Sequence, residues 1–202
     1  MSIKISRWLR FNLRYLGQPP WDTGISPPEL MAFLESSPPG RTLDVGCGTG
    51  TNLVTMAAYG WEVVGLDIAF LSVIKAQRKL RQAGIQGRVR WGNVGSHLCL
   101  GESFDLVLDI GCYHSLSATE REAYRRNLAC WLNPGGTYLL YAHRRTSLTH
   151  PHGVSEADFA HFYQFLSLQR REESDERRPG GGGGRPATWA KFVRALSDNL
   201  TG

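Results

Sequence analysis

The sequence predicts an α/β fold, a mostly parallel sheet covered by helices on both faces. Three observations predict it. Five short strand-like segments, ending near Val45, Asp67, Trp91, Ile110 and Ala142, alternate with segments of helical periodicity. The first run, Leu43 to Val45, passes into glycines at 46, 48 and 50 and then into the helical stretch Thr51 to Tyr59, closed by Gly60. The second run, Trp61 to Asp67, ends on a carboxylate about twenty residues further on, the usual spacing of a ribose partner in a nucleotide fold.

Bulk properties bound the remaining choices. The chain has 202 residues, 42% of them hydrophobic and 20% charged, enough for one well-cored domain. No apolar run approaches a membrane span, and arginines interleave the apolar residues of the N-terminus, so a secretory signal is not expected. Cys47, Cys99, Cys112 and Cys130 show no C-x-x-C spacing and no metal pattern, which points to reduced thiols, a cytoplasmic protein and no metal site. The formal net charge of +5 is modest, and no nucleic-acid recognition module is visible.

In chain order, residues 4–16 set Ile5, Trp8, Leu9, Leu13 and Leu16 against Arg7, Arg10 and Arg14, the pattern of an amphipathic helix. Three roles are open for it: a helix packed on the domain, a lid, or a membrane-surface helix. A turn-rich loop from Gln18 to Glu29 follows, with Pro27 and Pro28 opening a short helix to Ser36. Phe70 to Ala83 is a helix with Gly84 at its C-terminal stop. Arg88 to Trp91 is the third strand and Phe104 to Ile110 the fourth. The helix from about Ala118 to Leu132 is expected to end in Asn133-Pro-Gly-Gly136, with the fifth strand running from Gly136 to Ala142. Residues 155–163 suit a helix. Residues 165–172 and 187–193 suit two strands joined by a charged, glycine-rich loop that is expected to be mobile. Parallel α/β sheets bind ligands beyond the carboxyl ends of their strands, which gathers Gly46–Gly50, Asp67, Asn93 and Asp109–His114 around one cleft.

Four phrases carry a resemblance. Asp44-Val-Gly-Cys-Gly-Thr-Gly50 resembles the D-x-G-x-G-x-G signature of class I S-adenosylmethionine-dependent methyltransferases. Pro20-Trp-Asp-Thr-Gly24, followed by Pro27-Pro-Glu29, resembles the N-terminal segment of the small-molecule thiol, thiopurine, tellurite and halide methyltransferases. Leu132-Asn-Pro-Gly-Gly136 with Leu139-Leu140, and the final Ala187 to Phe192, also resemble this group. The resemblance implies a Rossmann-like three-layer sandwich, with a seven-stranded mostly parallel sheet and an antiparallel edge hairpin. It implies residues 1–26 as an N-terminal lid helix and loop, and 27–202 as the methyltransferase domain.

The same resemblance implies S-adenosylmethionine as cofactor and S-adenosylhomocysteine as product. The implied cofactor set is Trp21, Asp44, Gly46, Cys47, Gly48, Thr49, Gly50, Asp67, Ile68, Asn93, Val94, Asp109 and Ile110. Asp67 would hold the ribose hydroxyls and Asn93 the adenine. Trp21 either closes the pocket or plugs the edge of the core. His114 is the candidate base and Tyr113 a wall or hydrogen-bond partner of the acceptor. The expected partner is a small-molecule methyl acceptor with a soft nucleophile, and no nucleic acid: positions 109–112 read Asp-Ile-Gly-Cys where base-methylating enzymes have D/N-P-P-Y. Two other classes stay open. An NAD-dependent oxidoreductase would want glycine at position 51, where this chain has Thr51. A non-catalytic module could keep the glycine turn without turnover.

Overall fold

The computed structural model describes residues 2–146, 152–176 and 185–196, with side chains from Trp8 onward and, in the penultimate strand, as far as Ser174. Their packing divides the chain into two units, residues 1–94 and 95–202.

The first unit carries α1 (Ser2–Arg14), α2 (Pro28–Ser36), β1 (Arg41–Val45), α3 (Thr51–Ala58), β2 (Glu62–Asp67), α4 (Phe70–Gln82) and β3 (Arg88–Trp91). Its strands run in the order β3-β2-β1, all parallel. Leu43, Val45, Leu53, Met56, Val64, Leu66, Val73 and Leu80 form the core, each less than 5% exposed. Both strands are buried along most of their length, β1 with Thr42 and Asp44 among its apolar residues and β2 with apolar Val63, Val64 and Leu66 around Gly65. The registers Asp44↔Gly65 and Asp67↔Trp91 fix what stands beside the glycine turn. A Cβ on Gly65 would lie 2.7 Å from the Leu53 side chain and 2.8 Å from Cys47 Sγ, so only glycine lets α3 and the turn approach the strand. Gly84, at φ 68°, follows the last turn of α4 as expected.

The second unit carries β4 (Phe104–Ile110), a 3-10 turn (Tyr113–Ser115), α5 (Ala118–Trp131), β5 (Leu132–His143), α6 (Glu156–Phe162), β6 (Leu166–Glu176) and β7 (Arg185–Arg194). Its strands run β4-β5-β7-β6, with β4 and β5 parallel and the last two antiparallel. Helix α5 starts at a capping box: Ser117 Oγ accepts from the Glu120 N–H, and the Glu120 carboxylate accepts from the Ser117 N–H. Tyr113, Tyr124, Tyr138, Phe159, Phe162 and Phe192 are fully or almost fully buried and pack ring against ring.

Two boundaries differ from expectation. Asn133 to Gly136 does not separate α5 from β5; the strand begins at Leu132, opposite Phe104, and the next pair is Leu106↔Thr137. The intervening residues bulge from the ladder. Gly135 is at φ 76°, and a Cβ on Gly136 would sit 2.8 Å from the Asn133 carbonyl oxygen. The edge hairpin is longer than its apolar residues suggest, reaching the pair Glu176↔Arg185, because main-chain pairing does not require apolar side chains. The glycine-rich tip, residues 177–184, lies outside the described residues, and so does its expected mobility. No described helix is long and apolar enough to cross a membrane.

Candidate active site

The glycine turn of the first unit starts where β1 ends. Gly46, Gly48 and Gly50 sit at φ 75°, 55° and 82°, the left-handed region in which a side chain is strained. The N–H groups of Gly46 and Cys47 both donate to the Leu66 carbonyl, at 2.7 and 3.1 Å, which ties the turn to β2. A Cβ on Gly50 would lie 3.0 Å from Ala76 Cβ, so this glycine also permits α3 and α4 to pack closely. Asp67 closes β2. One of its oxygens accepts from the Gly48 N–H at 2.9 Å and the other from the Ala69 N–H at 2.7 Å. Its side chain is 7% exposed, and burial pushes its pKa up against these hydrogen bonds.

The segment after α1 lies on this turn. Tyr15 is buried, and its hydroxyl stands 3.0 Å from where a Gly48 Cβ would be. Burial, then the Asp67 carboxylate, holds the phenol well above its ordinary pKa, so it stays protonated. Trp21 Nε1 donates to the Tyr15 hydroxyl at 3.2 Å, and the Arg14 guanidinium stands 5.0 Å from the Trp21 ring. Trp21 remains 44% exposed, so it does not plug the core. Thr49 donates to the Asp22 carboxylate at 2.8 and 3.0 Å, and Lys79 Nζ donates to the hydroxyls of Thr49 at 3.2 Å and Thr51 at 3.0 Å. Asn12 Oδ1 accepts from the Leu71 N–H, fastening α1 to the start of α4. Tyr15, Asp22 and Lys79 were not legible as site residues: amphipathic spacing gives a face, not the atom opposite it.

The other expected residues of this unit are placed as follows. Asp44 is buried inside β1, and Cys47 points inward, its thiol pushed up by burial. Ile68 and Asn93 are half-buried and Val94 is buried. Trp91, unforeseen, is 60% exposed and donates through Nε1 to the Ile68 carbonyl at 2.8 Å.

In the second unit, β4 delivers Asp109, Ile110 and the loop Gly111–Leu116. Two expectations are corrected here. Asp109 was assigned to the cofactor, but its carboxylate is fully buried and folds the loop. It accepts from the Cys112 N–H at 2.8 Å, the Tyr113 N–H at 3.0 Å and the Tyr124 hydroxyl at 2.7 Å. Burial raises its pKa to about 7 against those three donors. Tyr113 was expected to wall the acceptor or hydrogen-bond to it, but it is fully buried, and its hydroxyl accepts from Arg125 at 3.0 Å and donates to Asp158 at 3.2 Å. Ile110 and Cys112 are half-buried.

His114 is half-buried and stacks on His143, with ring centroids 4.5 Å apart. The His143 N–H donates to His114 Nδ1 at 3.1 Å. Burial, then His143 and Arg121, lowers the His114 pKa to about 3. Arg121, 3% exposed, holds the loop from behind. It bridges the Asp158 carboxylate to the carbonyls of His114 and Gly153, at 3.1 and 2.8 Å. The four cysteines are free, and the described residues contain no metal-binding cluster of His, Cys, Asp and Glu.

Against known proteins, residues 42–136 match the family model of a methyltransferase domain. The chain is similar to ribosomal RNA small subunit methyltransferase C of Alcanivorax borkumensis: 32% identical over 109 residues, 52% of this chain and 33% of that protein. It is also similar to probable thiol methyltransferase 2 of Arabidopsis thaliana: 30% identical over 125 residues, 59% of this chain and 54% of that protein. The chain thus spans about half the length, or less, of these curated relatives. Among solved structures, the N-methyltransferase NodS of Bradyrhizobium japonicum WM9, in complex with S-adenosyl-L-homocysteine, aligns with a TM-score of 0.76. The sequences are 16% identical, and the alignment covers 93% of this chain and 97% of that one. The fold is therefore the Rossmann-like α/β fold of these methyltransferases, with seven strands, mostly parallel, and an antiparallel edge formed by β5, β7 and β6.

Proposed function

We propose that the protein is an S-adenosylmethionine-dependent methyltransferase acting on a small molecule that carries a soft nucleophile: a thiol, a chalcogen anion or a halide. The carrying observation is Asp67 locked to the Gly48 N–H at the end of β2. The residues fit the cofactor. A carboxylate accepts from a vicinal diol, and a turn held at positive φ on three glycines lets a ligand reach bare backbone. Asp67 and Ile68 hold the ribose, Gly46, Gly48 and Gly50 the methionine side, and Asn93 and Val94 the adenine. Trp21 closes over them with Tyr15.

When bound, S-adenosylmethionine supplies an electrophilic methyl group, so the protein needs no nucleophile of its own. Its task is to align the acceptor and to keep water out. Cys112 has no nucleophilic role in this scheme, and its N–H serves Asp109. The likeness to a probable thiol methyltransferase supports the acceptor class.

The test is transfer of labelled methyl from S-adenosylmethionine to a panel of hydrosulfide, benzenethiol, selenide, tellurite and iodide, beside an amine, a carboxylic acid and ribosomal RNA. Transfer to a soft nucleophile is expected. Transfer confined to the amine, the acid or the RNA would overturn the acceptor class, and failure to bind S-adenosylmethionine would overturn the whole reading.

A further inference from the structure

We infer that His114 holds the acceptor as a hydrogen-bond donor through Nε2–H, and that the acceptor therefore reaches it already as an anion. The inference rests on the proposed reading that the Gly111–Leu116 loop serves the acceptor.

From residue type alone, His114 reads as a base. The hydrogen bonding assigns it the opposite role. The His143 backbone N–H points at Nδ1 from 3.1 Å. A peptide N–H only donates, so Nδ1 carries the lone pair, and the single proton of the neutral ring sits on Nε2. No described residue takes a hydrogen bond from Nε2. To act as a base there, the ring would have to move its proton to Nδ1, setting N–H against N–H.

The ring cannot easily turn to escape this. One side stacks on His143 with an interplanar angle of 19°. Gly111 stands close by: a Cβ there would lie 3.3 Å from Cε1. The His114 carbonyl is held by Arg121 and by the Gly153 N–H at 3.0 Å.

The groups facing the ring oppose a second proton as well. Besides burial, His143, Arg121, His152 and Arg185 all act against the imidazolium. A neutral ring that offers only an N–H suits a thiolate or another soft anion and disfavours an ammonium group. No proton then moves in the transfer step. A lone pair of the anion forms the bond to the methyl carbon as the methyl–sulfonium bond breaks, and the electron pair of the broken carbon–sulfur bond leaves with the thioether sulfur, which becomes neutral.

Nitrogen-15 NMR of the His114 ring in the full-length protein is the direct test. The Nε2–H tautomer is expected, without titration between pH 5 and 8. A proton on Nδ1, or titration near the ordinary histidine value, overturns the inference. With S-adenosylhomocysteine bound, thiocyanate serves as an unreactive anion probe and should shift the Nε2–H resonance; no shift at saturation also overturns it. With benzenethiol as acceptor, His114→Gln keeps a donor near the Nε2 position and should stay within about threefold of the parent. His114→Ala should lose about 10- to 100-fold at every pH, the scale of a hydrogen bond to a charged group. Equal losses for both variants that fade above the pKa of the thiol would restore the base. If no thiol is methylated at all, the acceptor class fails, and the NMR measurements still decide the state of His114.

Discussion

Replacing Arg121 by alanine should be among the most damaging single changes in the second unit. Its Nη1 donates to both oxygens of Asp158 at 2.9 Å, its Nη2 caps two main-chain carbonyls, and its guanidinium stands 5.1 Å from the Tyr113 ring. Both members of the ion pair are buried, at 3% and 7% exposure. Removing the cation leaves the Asp158 carboxylate with the Ser155 N–H and hydroxyl and the Tyr113 hydroxyl, but no counter-charge. Breaking one side of a buried pair costs about 3–5 kcal/mol. For a chain of this size, about 2–4 °C per kcal/mol translates that into a fall in Tm of about 6–20 °C. Arg126→Ala is the control: its ion pair with Glu122 is exposed at 65% and 59%, and it should cost no more than about 0.5 kcal/mol. Urea and thermal unfolding of both variants measure the difference. An Arg121→Ala variant within about 1 kcal/mol of the parent, or indistinguishable from Arg126→Ala, would refute the view that this pair anchors the His114 loop.

Three further expectations can be checked independently. Asp67→Ala should weaken S-adenosylhomocysteine binding by about 1.5–3 kcal/mol in calorimetry, the worth of hydrogen bonds to a charged group; unchanged affinity would remove Asp67 from the ribose. Hydrogen exchange across residues 8–24 should slow when S-adenosylhomocysteine binds, because Tyr15 and Asp22 already rest on the glycine turn; identical protection with and without ligand would reduce this segment to a packing element. Asp109, raised to about 7 from 3.8, binds its proton more tightly in the folded state than in the unfolded one. Its contribution to stability is therefore lost as pH rises from about 4 through 7, and Asp109→Asn should gain on the parent over that window. A Tm difference that stays constant from pH 5 to pH 8 would show that Asp109 does not titrate there.

How much of the site was legible depends on the range of the interaction that builds it. The glycine turn was readable because positive φ at Gly46, Gly48 and Gly50 is a local backbone demand that one residue type meets cheaply. Asp67 was readable because its place at the end of an apolar run is also local. Strand and helix alternation, the stop at Gly84 and most element boundaries follow from periodicity over a few residues. The bulge at Asn133–Gly136 escaped because a Pro-Gly-Gly run marks an interruption without saying that the strand pairs on both sides of it.

Side-chain direction was decided only in three dimensions. Asp109 and Tyr113 are residues suited to a site, and the fold turned both inward, where Tyr124 and Arg125 were waiting for them. Arg121 and Asp158 lie 37 residues apart, and His143 meets His114 across 29. Composition and spacing determined which chemistry the chain carries: a glycine turn, a carboxylate at a strand end and an imidazole after β4. The tertiary structure decided which nitrogen of that imidazole bears the proton. That choice follows from a single peptide N–H on a neighbouring strand, a hydrogen bond between distant residues that no local pattern encodes.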